Sequence, residues 1–158
     1  MLALVTASFD VAIAAEAPGD IPDTQTFVTY RSPAGFSVLF PEGWSRTASG
    51  NAVTFSSNFN GEKVVLRTHG DAVTAVRRSF AEAHNLKLVR AGSGDAPAVV
   101  TFTAQSKPDE VTRKRIALDY RADVFRRGAA DAVLAQWAPV GADNADQWTK
   151  VALSFRWK

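Results

Sequence analysis

The chain has 158 residues, enough for one domain, with 46% hydrophobic and 22% charged residues, an ordinary globular composition. That length builds a core without staples, and the absence of cysteine excludes disulfides, thiolate metal sites and cysteine nucleophiles. The 18 basic and 16 acidic residues leave +2 with both signs interspersed, which is too weak a footprint for nucleic acid.

Residues 1–14 resemble the apolar core and cleavage site of a secretory signal, with Ala12-Ile13-Ala14 supplying the small-x-small pattern. No Lys or Arg precedes the apolar run, and Asp10 interrupts it. Export is therefore the expectation, to the periplasm or the medium, with a cytoplasmic address if the run is no signal. Cleavage after Ala14 removes one acid and leaves a charge of +3. No other run approaches the ~20 apolar residues of a spanning helix.

Residues 15–26, with Pro18, Gly19 and Pro22, read as a flexible leader to a single domain over 27–158. Phe27–Tyr30 is a short β-rich run, and residues 32–35 form a turn. Phe36, Val38 and Phe40 then alternate as a strand ended by Pro41-Glu42-Gly43. Residues 53–56 and 64–67 are the next strands, with Asn60-Gly61 as the hairpin signal between them.

Asp71 caps a predicted helix over 71–85, whose stripe is Val73, Val76, Phe80 and Ala83. Residues 86–89 and 98–103 are strands around the Gly92-Ser93-Gly94-Asp95 turn. After the Lys107-Pro108-Asp109 turn, 113–127 is the longest strand candidate. Ile116, Leu118, Tyr120, Ala122 and Val124 form its apolar face, and the opposite face is charged. Such alternation predicts one buried and one solvated face. Gly128 turns the chain into a strand over 132–137. Pro139 and Gly141 end it, and Asp143 or Asn144 caps a last helix striped by Trp148, Val151, Ala152 and Phe155. Strands joined by short turns pair antiparallel, so the fold class is α+β, a central antiparallel sheet flanked by helices.

Two segments carry a family resemblance: Gly35-Phe36-Ser37-Val38-Leu39-Phe40-Pro41-Glu42-Gly43-Trp44, and the terminal Ser154-Phe155-Arg156-Trp157. Together they resemble the PsbP-like family, named after the extrinsic subunit of photosystem II and related in fold to a Ran-binding nuclear import factor. The resemblance covers about 27–158. It implies an antiparallel sheet between helices, a tryptophan after the Pro-Gly turn that covers the core edge, and a last helix ending in the terminal motif. It implies no catalytic residues, since such proteins are mostly accessory, binding or assembly factors.

The residues themselves offer little chemistry. His69 and His84, at opposite ends of the predicted helix, would stand roughly 20 Å apart and cannot share a metal. His69 with Asp71 is too small a ligand set, and a histidine bonded to the helix cap is the simpler reading. No serine sits in a Gly-x-Ser-x-Gly elbow. Gly92-Ser93-Gly94 lacks the rest of a phosphate loop. Asp119 and Asp123 would lie about 13 Å apart along a strand, beyond the roughly 5–9.5 Å of paired-carboxylate chemistry, and pairing with Arg121 explains them better.

What remains is the charged face of 113–127. Arg113, Arg115, Arg121 and Arg127 can meet an anionic partner through their planar forks, or simply keep an ordinary strand face in water. Trp44, beside its Pro-Gly turn, is the first choice among the four tryptophans for an exposed binding aromatic. The expected function is a monomeric, non-catalytic accessory or binding domain, without cofactor or metal, acting on a protein partner in the cell envelope. The alternative is a carrier of a small or lipid-like ligand in a groove between sheet and helix.

Overall fold

The computed structural model describes residues 18–80, 83–91 and 98–158. The signal expected at 1–14 and the turn expected at 92–95 lie outside them. Within the described residues the chain is α+β, with antiparallel strands and two helices.

Five strands come first: β1 (Phe27–Ser32), β2 (Phe36–Pro41), β3 (Ser45–Ser49), β4 (Ala52–Ser57) and β5 (Asn60–Thr68). Helix α1 (Ala72–Ser79) follows, then β6 (His84–Ala91), β7 (Ala98–Gln105), β8 (Ala117–Arg127) and β9 (Ala130–Pro139). Helix α2 (Ala145–Ser154) and a short β10 (Arg156–Trp157) complete it. A seven-stranded sheet runs β3-β4-β5-β9-β8-β7-β6, and a three-stranded sheet runs β1-β2-β10.

The large sheet is covered on both faces. On one face, Phe36 and Val38 of β2 and Val151, Ala152 and Phe155 pack on Phe55, Val64 and Leu134. On the other, Ala75 and Val76 of α1 pack on Val100, Phe102, Ala122 and Val133. Burial on both faces explains why β9 is almost continuously buried.

The structure corrects several expectations. Helix α1 ends at Ser79 rather than near 85, and His84 opens β6. Its Asp71 cap is as expected, accepting a bond from Thr74 N. Strand β3 gave no sequence signal because all five of its residues are exposed and none alternates. The β4–β5 turn lies at Asn58-Phe59, with Asn58 at φ 49°, whereas Asn60 and Gly61 are already inside β5.

The long strand begins at Ala117, not at 113. Asp109 accepts from Val111 N and Thr112 N, and Arg113 takes φ 60°, so the chain is still turning there. The terminal motif does not simply end a helix. After Phe155, Arg156 and Trp157 pair with Ser37 and Phe36 of β2, which joins the two segments that carried the resemblance.

Of the expected leader, residues 18–26 are held on the domain rather than free. Ile21 is buried and its N donates to Asn144 Oδ1. Gly19 O accepts from the side-chain amides of both Asn60 and Asn144. Asn144, expected as a helix cap, uses its side chain on this segment and makes no side-chain cap bond.

Candidate functional site

Cross-strand register brings together aromatic residues far apart in sequence. On the α1 face of the large sheet, Tyr120 of β8 stands opposite Trp137 of β9 and Phe102 of β7. Their rings stack in a row: Phe102 on Tyr120 at 4.6 Å, Tyr120 on Trp137 at 5.6 Å between centroids. Phe80, the residue that ends α1, drops onto the row, with its ring 5.7 Å from Tyr120 and 6.4 Å from Trp137. Such edge and offset contacts stabilise beyond the area they bury.

Below the C-terminal end of α1 the helix no longer covers the sheet, and a groove of about 970 Å³ opens. Phe80, Tyr120 and Trp137 line it, with Leu118 and the half-exposed Phe59. Burial pushes the pKa of the Tyr120 hydroxyl up from its ordinary value to about 12.

The groove's rim is basic. Lys63 Nζ sits 5.3 Å from the Phe80 ring centroid and donates to Ser79 O. Arg67 is fixed by Ser79 Oγ and Arg78 O. Arg78 itself is exposed on α1. Across the groove, the β7–β8 connection contributes Lys107, Lys114 and Arg115, the last donating to Ser106 O. Asp109 is the one carboxylate among the described lining residues. Hydrogen bonds from Thr112 and Val111 hold it below its ordinary range.

The five residues singled out from sequence do not form one face. Arg115 lines the groove, while Arg113 stands exposed in the preceding turn. Arg121 points to the opposite side of the sheet, where Nε and Nη2 grip Asp123 at 2.9 and 3.0 Å and Nη1 donates to Thr149 Oγ1 of α2. That side was expected to be solvated. Instead Asp123 is buried, its carboxyl raised by desolvation against the opposing pull of Arg121, and Phe125 stacks on Phe155 at 4.3 Å. Arg127 lies 4.4 Å over the Trp157 ring and bonds Lys158 O at the end of the chain. Trp44 is half-buried against the core, as the resemblance implied.

A second hollow, about 590 Å³, runs along α1 from its N-terminal end to Arg78 and shares Arg67 and Arg78 with the groove. There His69 Nδ1 meets Asp131 Oδ1 at 3.0 Å, and Gly70 N donates to the other oxygen of the same carboxylate. His69 thus pairs with β9, not with the Asp71 cap. Among the described residues no three His, Asp or Glu side chains group as a metal site would require.

The groove's residues were not legible as a site in the sequence. Tyr120 was readable as facing the core and Trp137 as a strand residue. Only the β5–β9–β8 register sets them beside Lys63 and under Phe80.

No family model matches the chain, and no curated protein matches it. Solved structures do. The Ran-binding protein Mog1p of Saccharomyces cerevisiae aligns with a TM-score of 0.57 at 9% identity, over 84% of this chain and 96% of its own. Cyanobacterial PsbP (CyanoP) of Synechocystis sp. PCC 6803 aligns with a TM-score of 0.50 at 16% identity, over 89% and 98%. A protein of Bacteroides thetaiotaomicron aligns with a TM-score of 0.50 at 14% identity, over 82% of this chain but 48% of its own, so the likeness spans about half of that protein. Identities this low establish fold and not activity. The chain has a PsbP-like α+β fold.

Proposed function

We propose that this chain is a non-catalytic binding or accessory domain that engages a protein partner through the groove beside α1. The observation that carries the reading is the joint between Phe80, Tyr120 and Trp137 and the basic rim around them. Aromatic groups set in a concave surface with a few fixed polar groups are what recognition sites are built from. The Ran-binding structural neighbour supports a protein as the partner. The signal-like run at 1–14 supports a partner in the cell envelope, and we take the domain to act as a monomer.

A second reading is a carrier of a small or lipid-like ligand. It draws on the groove volume, which stands near the upper end for small-molecule sites.

A photo-crosslinking residue at Phe59, used in the protein's own cells, separates the two. A protein adduct formed from Phe59 and not from the exposed Leu153 on α2, which packs on the opposite face of the sheet, supports the first reading. A lipid-sized adduct favours the second. Protein adducts from Leu153 but not from Phe59 contradict the groove as the site.

A further inference from the structure

We infer that the occupant of this groove is an extended acidic peptide segment, about six residues long, with an apolar centre; the inference rests on the groove reading above. Three observations carry it: charge, length and the order of chemistry along the groove.

The lining holds six of the chain's 18 basic residues and one of its 16 acidic ones. That one carboxylate, Asp109, is occupied by Val111 N at 3.0 Å and Thr112 N at 2.6 Å. On a chain whose net charge is only +2, this is a strong local excess. An anionic occupant is therefore favoured, and a cationic one repelled.

The groove runs from β4 through β5, β9 and β8 to β7, and is closed at its end by His84, where β6 begins. Four inter-strand spacings make roughly 19 Å, the reach of about six residues of extended chain. The order across it is basic, aromatic, basic. Arg78 stands on the α1 side, Tyr120 and Trp137 form the floor between, and Lys107 and Lys114 stand on the β7–β8 connection. Arg78, Lys107 and Lys114 have no carboxylate partner among the described residues.

A free phosphate reaches only one of these poles. A lipid with a single headgroup leaves its tail against the second pole. An acidic segment with an apolar centre meets both poles and the floor together. Tyr120 Oη is also available to a backbone carbonyl of such a segment.

The test uses the full chain and a fluorescein-labelled hexapeptide with an acidic pair at each end and a phenylalanine–leucine centre. Binding is read by anisotropy at low salt, where screening is weak. The expected result is a Kd below about 1 mM. Arg78→Glu and Lys114→Glu are each expected to weaken it about fivefold or more, as does replacing the peptide's centre with two serines. Arg46→Glu, outside the groove, leaves it unchanged, and each variant keeps the wild-type melting curve.

Loss at one pole only, or indifference to the apolar centre, overturns the bridging segment. Binding of phosphatidylglycerol vesicles through both poles, with no binding of the peptide, overturns the peptide chemistry while leaving the groove in place. The Phe59 crosslink reads the groove whatever its occupant, so the two failures are distinguishable.

Discussion

The indole of Trp137 lies directly on the backbone of Gly61, where a Cβ would stand 1.9 Å from Trp137 Cζ2. The two residues face each other across β5 and β9. Gly61 is therefore required for close approach rather than for a turn. Moving the indole away would disturb its stack with Tyr120 and hence the groove floor.

Gly61→Ala is expected to destabilise by about 1–3 kcal/mol, the usual consequence of overpacking. Combined with Trp137→Leu, the loss should be smaller than the sum of the two singles, because the neighbours share one space. Denaturant unfolding of the three variants measures the coupling. Additive losses would mean that the indole does not rest on Gly61.

Arg121 and Asp123 form an ion pair beneath α2, with side chains 24% and 1% exposed. Arg121→Ala is expected to destabilise by about 3 kcal/mol, the lower end for breaking a buried pair, since the stranded carboxyl can take up a proton. Arg121→Glu should do worse. Thermal melts should show both losses, and a partner-binding assay at a temperature where the variants stay folded should show little change for Arg121→Ala.

Glu62 sits in the sheet opposite Phe55 and Gln136, buried, with Oε1 unpartnered among the described residues. Burial holds its carboxyl well above the ordinary range. Below the unfolded-state pKa, near 4.3, both states carry the proton and this group adds no pH dependence. Above it the unfolded chain releases the proton while the folded chain retains it. Stability therefore falls as pH rises, until the folded carboxyl ionises in turn. Glu62→Gln should lose less stability than wild type between pH 5 and pH 8, as read by urea unfolding at each pH. Equal losses would remove Glu62 from the account.

Ile21 anchors the segment before β1 in a site shared with Asn144. Ile21→Ala is expected to destabilise by about 2 kcal/mol, at the low end for a buried aliphatic truncation because the site is near the surface. A change below ~0.5 kcal/mol, the usual range for surface positions, would mean that the segment is only lightly attached.

The α+β class was legible because β8 and α2 have strong periodicities. Leu118, Ala122 and Val124 point to one core, and Val151, Ala152 and Phe155 to the other. The covered state of the second face of β8 was not legible. Arg121 and Asp123 look the same in sequence whether they face water or pair beneath a helix. Asn60-Gly61 has turn chemistry, yet the glycine answers to a tryptophan 76 positions away in the chain. The groove was hidden for the same reason. Its floor is a product of register, and its opening depends on where α1 stops, which apolar spacing through Phe80 and Ala83 did not reveal.

The most direct test of the groove as the functional site is native mass spectrometry of the protein purified gently from its own cells, as wild type, as Arg78→Glu/Lys114→Glu, and as Arg31→Glu/Arg46→Glu. The account predicts a bound mass on wild type and on the Arg31/Arg46 variant that is lost from the Arg78/Lys114 variant. A bound mass that survives reversal of both groove charges would contradict it.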